Sequence, residues 1–148
     1  SVQPALLRGI QDLFDGTFRR LYTRDRKKTT VPSRLIATSA MRVQNAQTWV
    51  EYKARQRQIR SEIADRASAN EHPKVEDLLT AGHLTSDVEL DVASNSVLLF
   101  HGTSYEAARK IAQQDFLTSM AGKGAGTLYG HGLYFAESCT KSDEYCTP

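Results

Sequence analysis

Two stretches of the chain place apolar side chains at the three- and four-residue steps of a helix. The first stretch contains Leu6, Leu7, Ile10, Leu13 and Phe14. The second contains Trp49, Tyr52, Ile59 and Ile63, with Gln56 as a polar interruption. This spacing predicts a helix from about Ala5 that ends or bends at Asp15-Gly16, and a longer helix with Asn45 as its N-cap. For the second stripe, packing on the chain's own sheet is favoured over a coiled-coil partner.

Three further stretches have the pattern of β-strands. Residues 35–43 have mixed faces, and one side of the strand would carry Leu35, Ala37, Met41 and Val43. Residues 97–100 are four consecutive apolar residues, which is typical of a strand buried on both faces. Residues 133–136 follow two glycines, Gly130 and Gly132. The two later strands each place a polar or glycine-flanked residue at an end or bend, so we expect a binding site there.

Two short helices are predicted next to these later strands. Thr103-Ser104-Tyr105-Glu106 matches a capping box, with Thr103 as the N-cap and Glu106 three residues further on. The helix that it opens should end before Phe116. Ser138 is a suitable cap for a last helix that runs through Tyr145.

Composition limits the class of protein. A chain of 148 residues can form one domain with its own core, and 40% hydrophobic with 24% charged residues is typical of a globular protein. No apolar run approaches the roughly 18–20 residues that cross a bilayer, so no membrane partner is expected. Cys139 and Cys146 would lie about 10 Å apart on one helix, too far for a disulfide. They indicate a reduced, intracellular protein, either nuclear or cytoplasmic.

The basic residues concentrate near the N-terminus. The cluster consists of Arg19, Arg20, Arg24, Arg26, Lys27 and Lys28. No aromatic ladder accompanies it, and the net charge of the chain is only +2. A solvated loop between elements is therefore favoured over a nucleic-acid patch.

Several kinds of site are excluded by spacing. The segment Gly122-Lys123-Gly124-Ala125-Gly126 lacks the Lys-Ser/Thr of a phosphate-binding loop and precedes a strand instead of following one, so a mobile loop is the better interpretation. The histidines and cysteines have no short ligand spacing, so no metal is expected. A serine hydrolase is not indicated, because there is no Gly-x-Ser-x-Gly elbow.

Four segments, in order, nevertheless form a specific combination. They are Met41-Arg42-Val43-Gln44-Asn45 with Trp49 and Tyr52, then His101-Gly102-Thr103, then Tyr129-Gly130-His131-Gly132-Leu133-Tyr134-Phe135-Ala136, and then Lys141-Ser142-Asp143-Glu144-Tyr145. Together, over about residues 35–146, they closely resemble the catalytic domain of the poly(ADP-ribose) polymerase family. The resemblance implies an α+β ADP-ribosyltransferase fold, with a mixed β-sheet core and flanking helices.

The same resemblance implies a role for each matched residue. His101 would bind the adenosine-side ribose of NAD+, and Gly102 would pair through its backbone with the nicotinamide carboxamide. Tyr134 would be the tyrosine of the family's His-Tyr-Glu triad, close to the nicotinamide ribose. Ser142 would hydrogen-bond the carboxamide, and Tyr145 would stack on the nicotinamide ring. NAD+ would be the co-substrate, and the acceptor would be either another protein or the chain itself.

One departure from the family concerns the triad glutamate, which lies on a later strand than any in this sequence. Glu137 and Glu144 lie in the wrong segment to replace it. We therefore expect a single, incomplete catalytic domain over residues 1–148, without the late strands and with little or no transferase activity. Its parts would be an N-terminal helix and basic loop (1–34), an entry strand, long helix and connection (35–96), and an NAD-binding half (97–148).

Two other functions stay open on the sequence alone. One is a module that binds NAD or ADP-ribose without catalysis. The other, less favoured, is a basic nucleic-acid-binding domain that uses the 19–28 cluster and the helix after Asn45.

Overall fold

The chain divides into two compact units. The structure, a computed structural model, describes residues 4–23, 25–26, 30–65, 77–83, 90–121 and 130–146. Unit 1 comprises Ser1–Gly16 and Ala37–Leu98, and unit 2 comprises Thr17–Ile36 and Leu99–Pro148. The glycine-rich segment 122–126, predicted to be a mobile loop, lies outside the described residues.

Unit 1 is built on the two helices that the apolar spacing predicts. Helix α1 spans Pro4–Thr17, of which Thr17 already belongs to unit 2, and helix α2 spans Ala46–Asp65. Asn45 caps α2 as predicted, because its side-chain oxygen accepts a hydrogen bond of 3.2 Å from the Thr48 N–H. Neither α1 nor α2, nor any other described helix, is long and apolar enough to cross a membrane.

Helix α2 packs on a short 3₁₀ turn, Val92–Ser94, while Trp49 and Tyr52 of its stripe are exposed. Gln56, the polar member of the stripe, is buried and donates a hydrogen bond of 2.9 Å to the Ser96 hydroxyl. Arg60 pairs with Asp91 at 2.6 Å, and its hydrogen bond holds the pKa of that carboxyl below the usual value. Packing of the stripe on a sheet, as predicted, is not observed for the part of the chain that is described.

The predicted mixed β-sheet core is not observed among the described residues. The two later stretches meet in a single antiparallel bridge, where Phe100 and Ala136 exchange backbone hydrogen bonds of 2.8 and 2.9 Å. Residues 35–43 form no strand, and Ile36, Met41 and Val43 are exposed.

The reason for this difference is that a strand needs more than an alternating pattern. The pattern specifies which side chains share a face, but the strand also requires a neighbour whose backbone N–H and C=O groups pair with its own. Leu99 is 42% exposed, so the run 97–100 is not buried on both faces either.

Unit 2 contains the two shorter helices, α3 (Tyr105–Gln114) and α4 (Cys139–Asp143). Helix α3 ends before Phe116 as predicted, but its N-cap is Ser104 and not Thr103, since Ser104 Oγ accepts the Ala107 N–H at 3.2 Å. Helix α4 ends two residues before the predicted Tyr145. Ser138 occupies its N-cap position, yet the buried hydroxyl makes no cap hydrogen bond.

The shifted N-cap of α3 gives a direct test. Ser104→Ala should lower the free energy of unfolding by about 1 kcal/mol, because one N–H of the first turn loses its acceptor. Thr103→Ala is the matched control and should change it by less than about 0.5 kcal/mol. Urea denaturation measures both values, and a larger loss for Thr103→Ala would restore the capping box that the sequence predicts.

Candidate active site

The site begins at the single bridge, which places His101 next to the segment that carries Tyr134. His101 Nδ1 lies 2.9 Å from the backbone oxygen of Tyr134. Because a carbonyl only accepts, Nδ1 carries a proton and donates this hydrogen bond. The imidazole is held in an aromatic cluster, with its centroid 5.0 Å from that of Phe116 and 5.4 Å from that of Phe135. The orientation of His101 is therefore fixed by one hydrogen bond and two rings.

Tyr134 is fixed at both its backbone and its hydroxyl. The hydroxyl donates a hydrogen bond of 2.5 Å to the backbone oxygen of Gly130. Gly130 has a φ of +95°, which favours glycine over any residue with a side chain. This glycine lets the chain turn so that the carbonyl meets the tyrosine four residues later. The turn thus positions the side chain that the family resemblance assigns to the triad.

Gly102 and Ser142, separated by 40 positions in the sequence, meet backbone to backbone. A Cβ at Gly102 would overlap with the carbonyl oxygen of Ser142 and would lie 2.6 Å from its carbonyl carbon. Only glycine permits this approach. Ser142 is buried on α4, and its hydroxyl makes no hydrogen bond to the residues that the structure describes. The contact therefore places the Ser142 hydroxyl, which can still form hydrogen bonds, on the same helix residue that meets the half-buried backbone of Gly102.

Tyr145 follows α4 in a turn, where its N–H donates to the Ser142 carbonyl at 3.1 Å. Its hydroxyl donates a hydrogen bond of 3.0 Å to Asp25 Oδ2, and the ammonium of Lys141 lies 5.2 Å from the ring centroid. Burial, and then the hydrogen bond to Asp25, raise the pKa of the Tyr145 phenol, which therefore stays protonated as the donor. The ring is held at its hydroxyl and on one face.

A buried arginine, Arg26, anchors α4, although the sequence pattern predicts a solvated loop at its position. The Arg26 side chain is 2% exposed; its Nη1 pairs with Asp143 at 3.1 Å, and its Nη2 donates to the Thr140 carbonyl at 3.0 Å. The prediction of a solvated loop is therefore wrong for this residue. Arg24, Lys27 and Lys28 lie outside the described residues. The only signal in the sequence was the pair of acidic residues on the last helical segment, which gave no reason to select Arg26 as their partner.

Glu144 completes the anchor from the same helix end. Its carboxylate accepts hydrogen bonds of 2.7 Å from Lys141 Nζ and from the Thr23 hydroxyl, lies 3.7 Å from Arg26 Nε, and is 1% exposed. Burial alone would lower the pKa of Lys141, but hydrogen bonds to Glu144 and Asp25 outweigh it and raise that pKa. Glu144 is thus a structural residue, in agreement with its exclusion as a triad glutamate.

Unit 2 therefore brings the five predicted site residues into three linked contacts. His101 meets Tyr134, Gly102 meets Ser142, and Tyr145 hydrogen-bonds the same Ser142. The two hydroxyls of the tyrosines are already engaged, one by Gly130 and one by Asp25. No group of three or more histidine, cysteine, aspartate or glutamate side chains that could hold a metal occurs in the described ranges.

The comparison with known families identifies the class of protein. The family model of the poly(ADP-ribose) polymerase catalytic domain matches residues 19–148, which include all five site residues and the Arg26 anchor. The chain belongs to the poly(ADP-ribose) polymerase catalytic domain family. At the level of the family, this means NAD+-dependent ADP-ribosyltransferases. The resemblance predicted from the sequence motifs is confirmed and extends further toward the N-terminus.

Proposed function

We propose that unit 2 binds NAD+ for transfer of ADP-ribose to a side chain of an acceptor protein. Gly102, Ser142 and Tyr145 would hold the nicotinamide, His101 the adenosine-side ribose, and Tyr134 would lie at the nicotinamide ribose. Bound NAD+ supplies the transferred group, since the bond between nicotinamide and ribose breaks and the acceptor side chain takes the ribose carbon. The three residues around the carboxamide orient the leaving group, which lowers the entropic part of the barrier.

The observation that carries this proposal is the close approach of Gly102 to Ser142. A planar amide has one acceptor and two donors, and it is bound best by a backbone N–H and C=O together with a hydroxyl. Because Gly102 has no side chain, its backbone can lie directly against Ser142, and the Ser142 hydroxyl has no other partner among the described residues. Tyr145 adds an aromatic face, which suits a nicotinamide ring.

The fold that we propose for the whole catalytic domain is the α+β ADP-ribosyltransferase fold. The bridge between Phe100 and Ala136 would be part of its mixed sheet. In a complete domain of that fold, further strands of the sheet would pair with these segments and would cover the exposed apolar side chains of residues 35–43.

Binding of a nicotinamide mimic tests the pocket directly. Benzamide, a planar aromatic carboxamide, should raise the melting temperature of the chain, and Tyr145→Ala should abolish this protection because the stacking face is lost. Tyr105→Ala, at a tyrosine that is 61% exposed on α3, is the matched control and should keep the protection. Equal protection of the wild type and Tyr145→Ala would show that Tyr145 does not contact the ring.

A non-catalytic module is the second candidate, and one observation favours it. Glu144, next to Tyr145, is enclosed by Arg26, Lys141 and Thr23 and has no access to a ribose. We expect the 148-residue chain to bind NAD+ but to transfer little label from radiolabelled NAD+. If a longer protein that contains this chain labels neither itself nor another protein, the module is the correct assignment.

The basic nucleic-acid-binding domain is the weakest of the candidates. Arg26 would have to leave two carboxylates and a carbonyl to reach a phosphate, so it adds nothing to a basic surface. A salt titration with a DNA duplex tests this candidate, and absence of binding at low salt removes it. For the enzyme, we propose a protein acceptor and an intracellular location, nuclear or cytoplasmic.

A further inference from the structure

Tyr145 depends on a residue far away in the sequence for the position of its ring. It lies in the turn after α4, where the hydrogen bond of its backbone N–H to the Ser142 carbonyl leaves the side-chain rotamer unrestrained. The contact at the far end of the ring is the hydrogen bond of 3.0 Å from its hydroxyl to Asp25 Oδ2. A tyrosine side chain has two rotatable bonds, and a partner at the hydroxyl restricts both of them.

Asp25 is itself held in place. The ammonium of Lys141 lies 3.2 Å from the same Oδ2 atom, and the next residue, Arg26, is buried in its contacts with α4. Asp25 is therefore tied to α4 twice, once through its carboxylate and once through its neighbour in the chain. The carboxylate is a fixed acceptor for the phenol.

Lys141 also limits how the ring can be used. Its ammonium lies over one face of the Tyr145 ring at 5.2 Å from the centroid, which is a cation–π distance. A planar aromatic ligand would then stack on the opposite face, on the far side from the cation. The hydrogen bond at the Tyr145 hydroxyl sets the orientation of the ring. This orientation decides whether the face opposite Lys141 lies parallel to the ligand.

We propose that Asp25 is a positioning residue for the nicotinamide end of the substrate, and that it acts through Tyr145 without touching the ligand. This inference rests on the proposed function, and it adds a determinant of nicotinamide affinity outside the motifs of the NAD-binding half. Loss of the hydrogen bond leaves a ring that must be ordered when the ligand binds, which weakens binding. Recognition of the adenosine and diphosphate parts does not depend on this ring.

The experiment measures the dissociation constants of two probes, benzamide and ADP-ribose, by calorimetry with the 148-residue chain. Asp25→Ala should weaken benzamide binding roughly 3- to 10-fold and leave ADP-ribose binding unchanged within about 2-fold. Asp25→Asn keeps an acceptor oxygen for the phenol and should restore most of the affinity. Asp12→Ala, at an exposed carboxylate on α1, is the matched control and should change neither constant.

A double-mutant cycle separates positioning from general damage to the structure. Tyr145→Phe removes the same hydrogen bond from the other side. The double variant, which carries both Asp25→Ala and Tyr145→Phe, should therefore bind benzamide no more weakly than the weaker of the two single variants. Additive losses, equal losses for both probes, or an unchanged benzamide constant in Asp25→Ala would each overturn the positioning role. Failure of the unmodified chain to bind benzamide would overturn the proposed function itself, and the positioning role with it.

Discussion

Replacement of Arg26 by alanine should lower the free energy of unfolding by about 3–5 kcal/mol. The guanidinium is 2% exposed and faces two carboxylates, one of which, Glu144, is 1% exposed. Its removal takes one cation from the buried Glu144, leaves Asp143 without this ion pair and leaves the Thr140 carbonyl without its guanidinium donor. Breaking a buried ion pair from one side is costly for this reason, even where the intact pair adds little.

A second arginine of the chain provides the control for this prediction. Arg55 pairs with Glu62 at 3.2 Å on α2, but the two side chains are 57% and 42% exposed. Arg55→Ala should cost less than about 1 kcal/mol, because water replaces the lost partner. Chemical denaturation of both variants gives the comparison. Similar losses for Arg26 and Arg55 would mean that the Arg26 cluster is not an anchor.

Replacement of Gly102 by alanine should cost about 2–3 kcal/mol and should also remove benzamide binding. The added methyl group would overlap with the backbone of Ser142, and a backbone carbonyl on a helix cannot rotate away as a side chain could. Either the bridge segment or α4 must move, and both carry site residues. The stability loss and the loss of binding therefore have the same cause.

Gly132 is the matched control for this variant. A Cβ at Gly132 meets no atom of the described residues within 4 Å, so Gly132→Ala should keep both stability and benzamide binding. Denaturation and a thermal-shift titration on both variants check the prediction. Benzamide binding by a folded Gly102→Ala chain would show that the carboxamide is held elsewhere.

The parts of the fold that follow from local sequence were predictable. The apolar spacing of α1, the Asn45 cap of α2 and the end of α3 before Phe116 depend on residues within one or two helical turns. The cap of α3 was displaced by one residue because Thr103 and Ser104 are both suitable, and only the chain path decides between them. The site motifs were also readable, since each is a short contiguous segment.

The parts that depend on distant partners were not predictable. A strand at residues 35–43 needs a neighbour that pairs with it, and its pattern does not show whether that neighbour is present. Arg26 lies in a segment with the composition of a surface loop. It can be buried because it pairs with two carboxylates that are 117 and 118 positions away. The hydrogen bond between Tyr145 and Asp25 also joins residues that are far apart, 120 positions in the sequence. Long-range charge pairing leaves no periodic signal in a single sequence.

Amide NMR of the isotope-labelled chain, titrated with benzamide, tests the central claim most directly. We expect the largest shift changes at the backbone amides of Gly102, Ser142 and Tyr145, with smaller changes at Asp25. These are the groups that would surround a planar carboxamide. Saturable changes confined to unit 1, or no changes at millimolar benzamide, would contradict a nicotinamide site at Gly102 and Ser142.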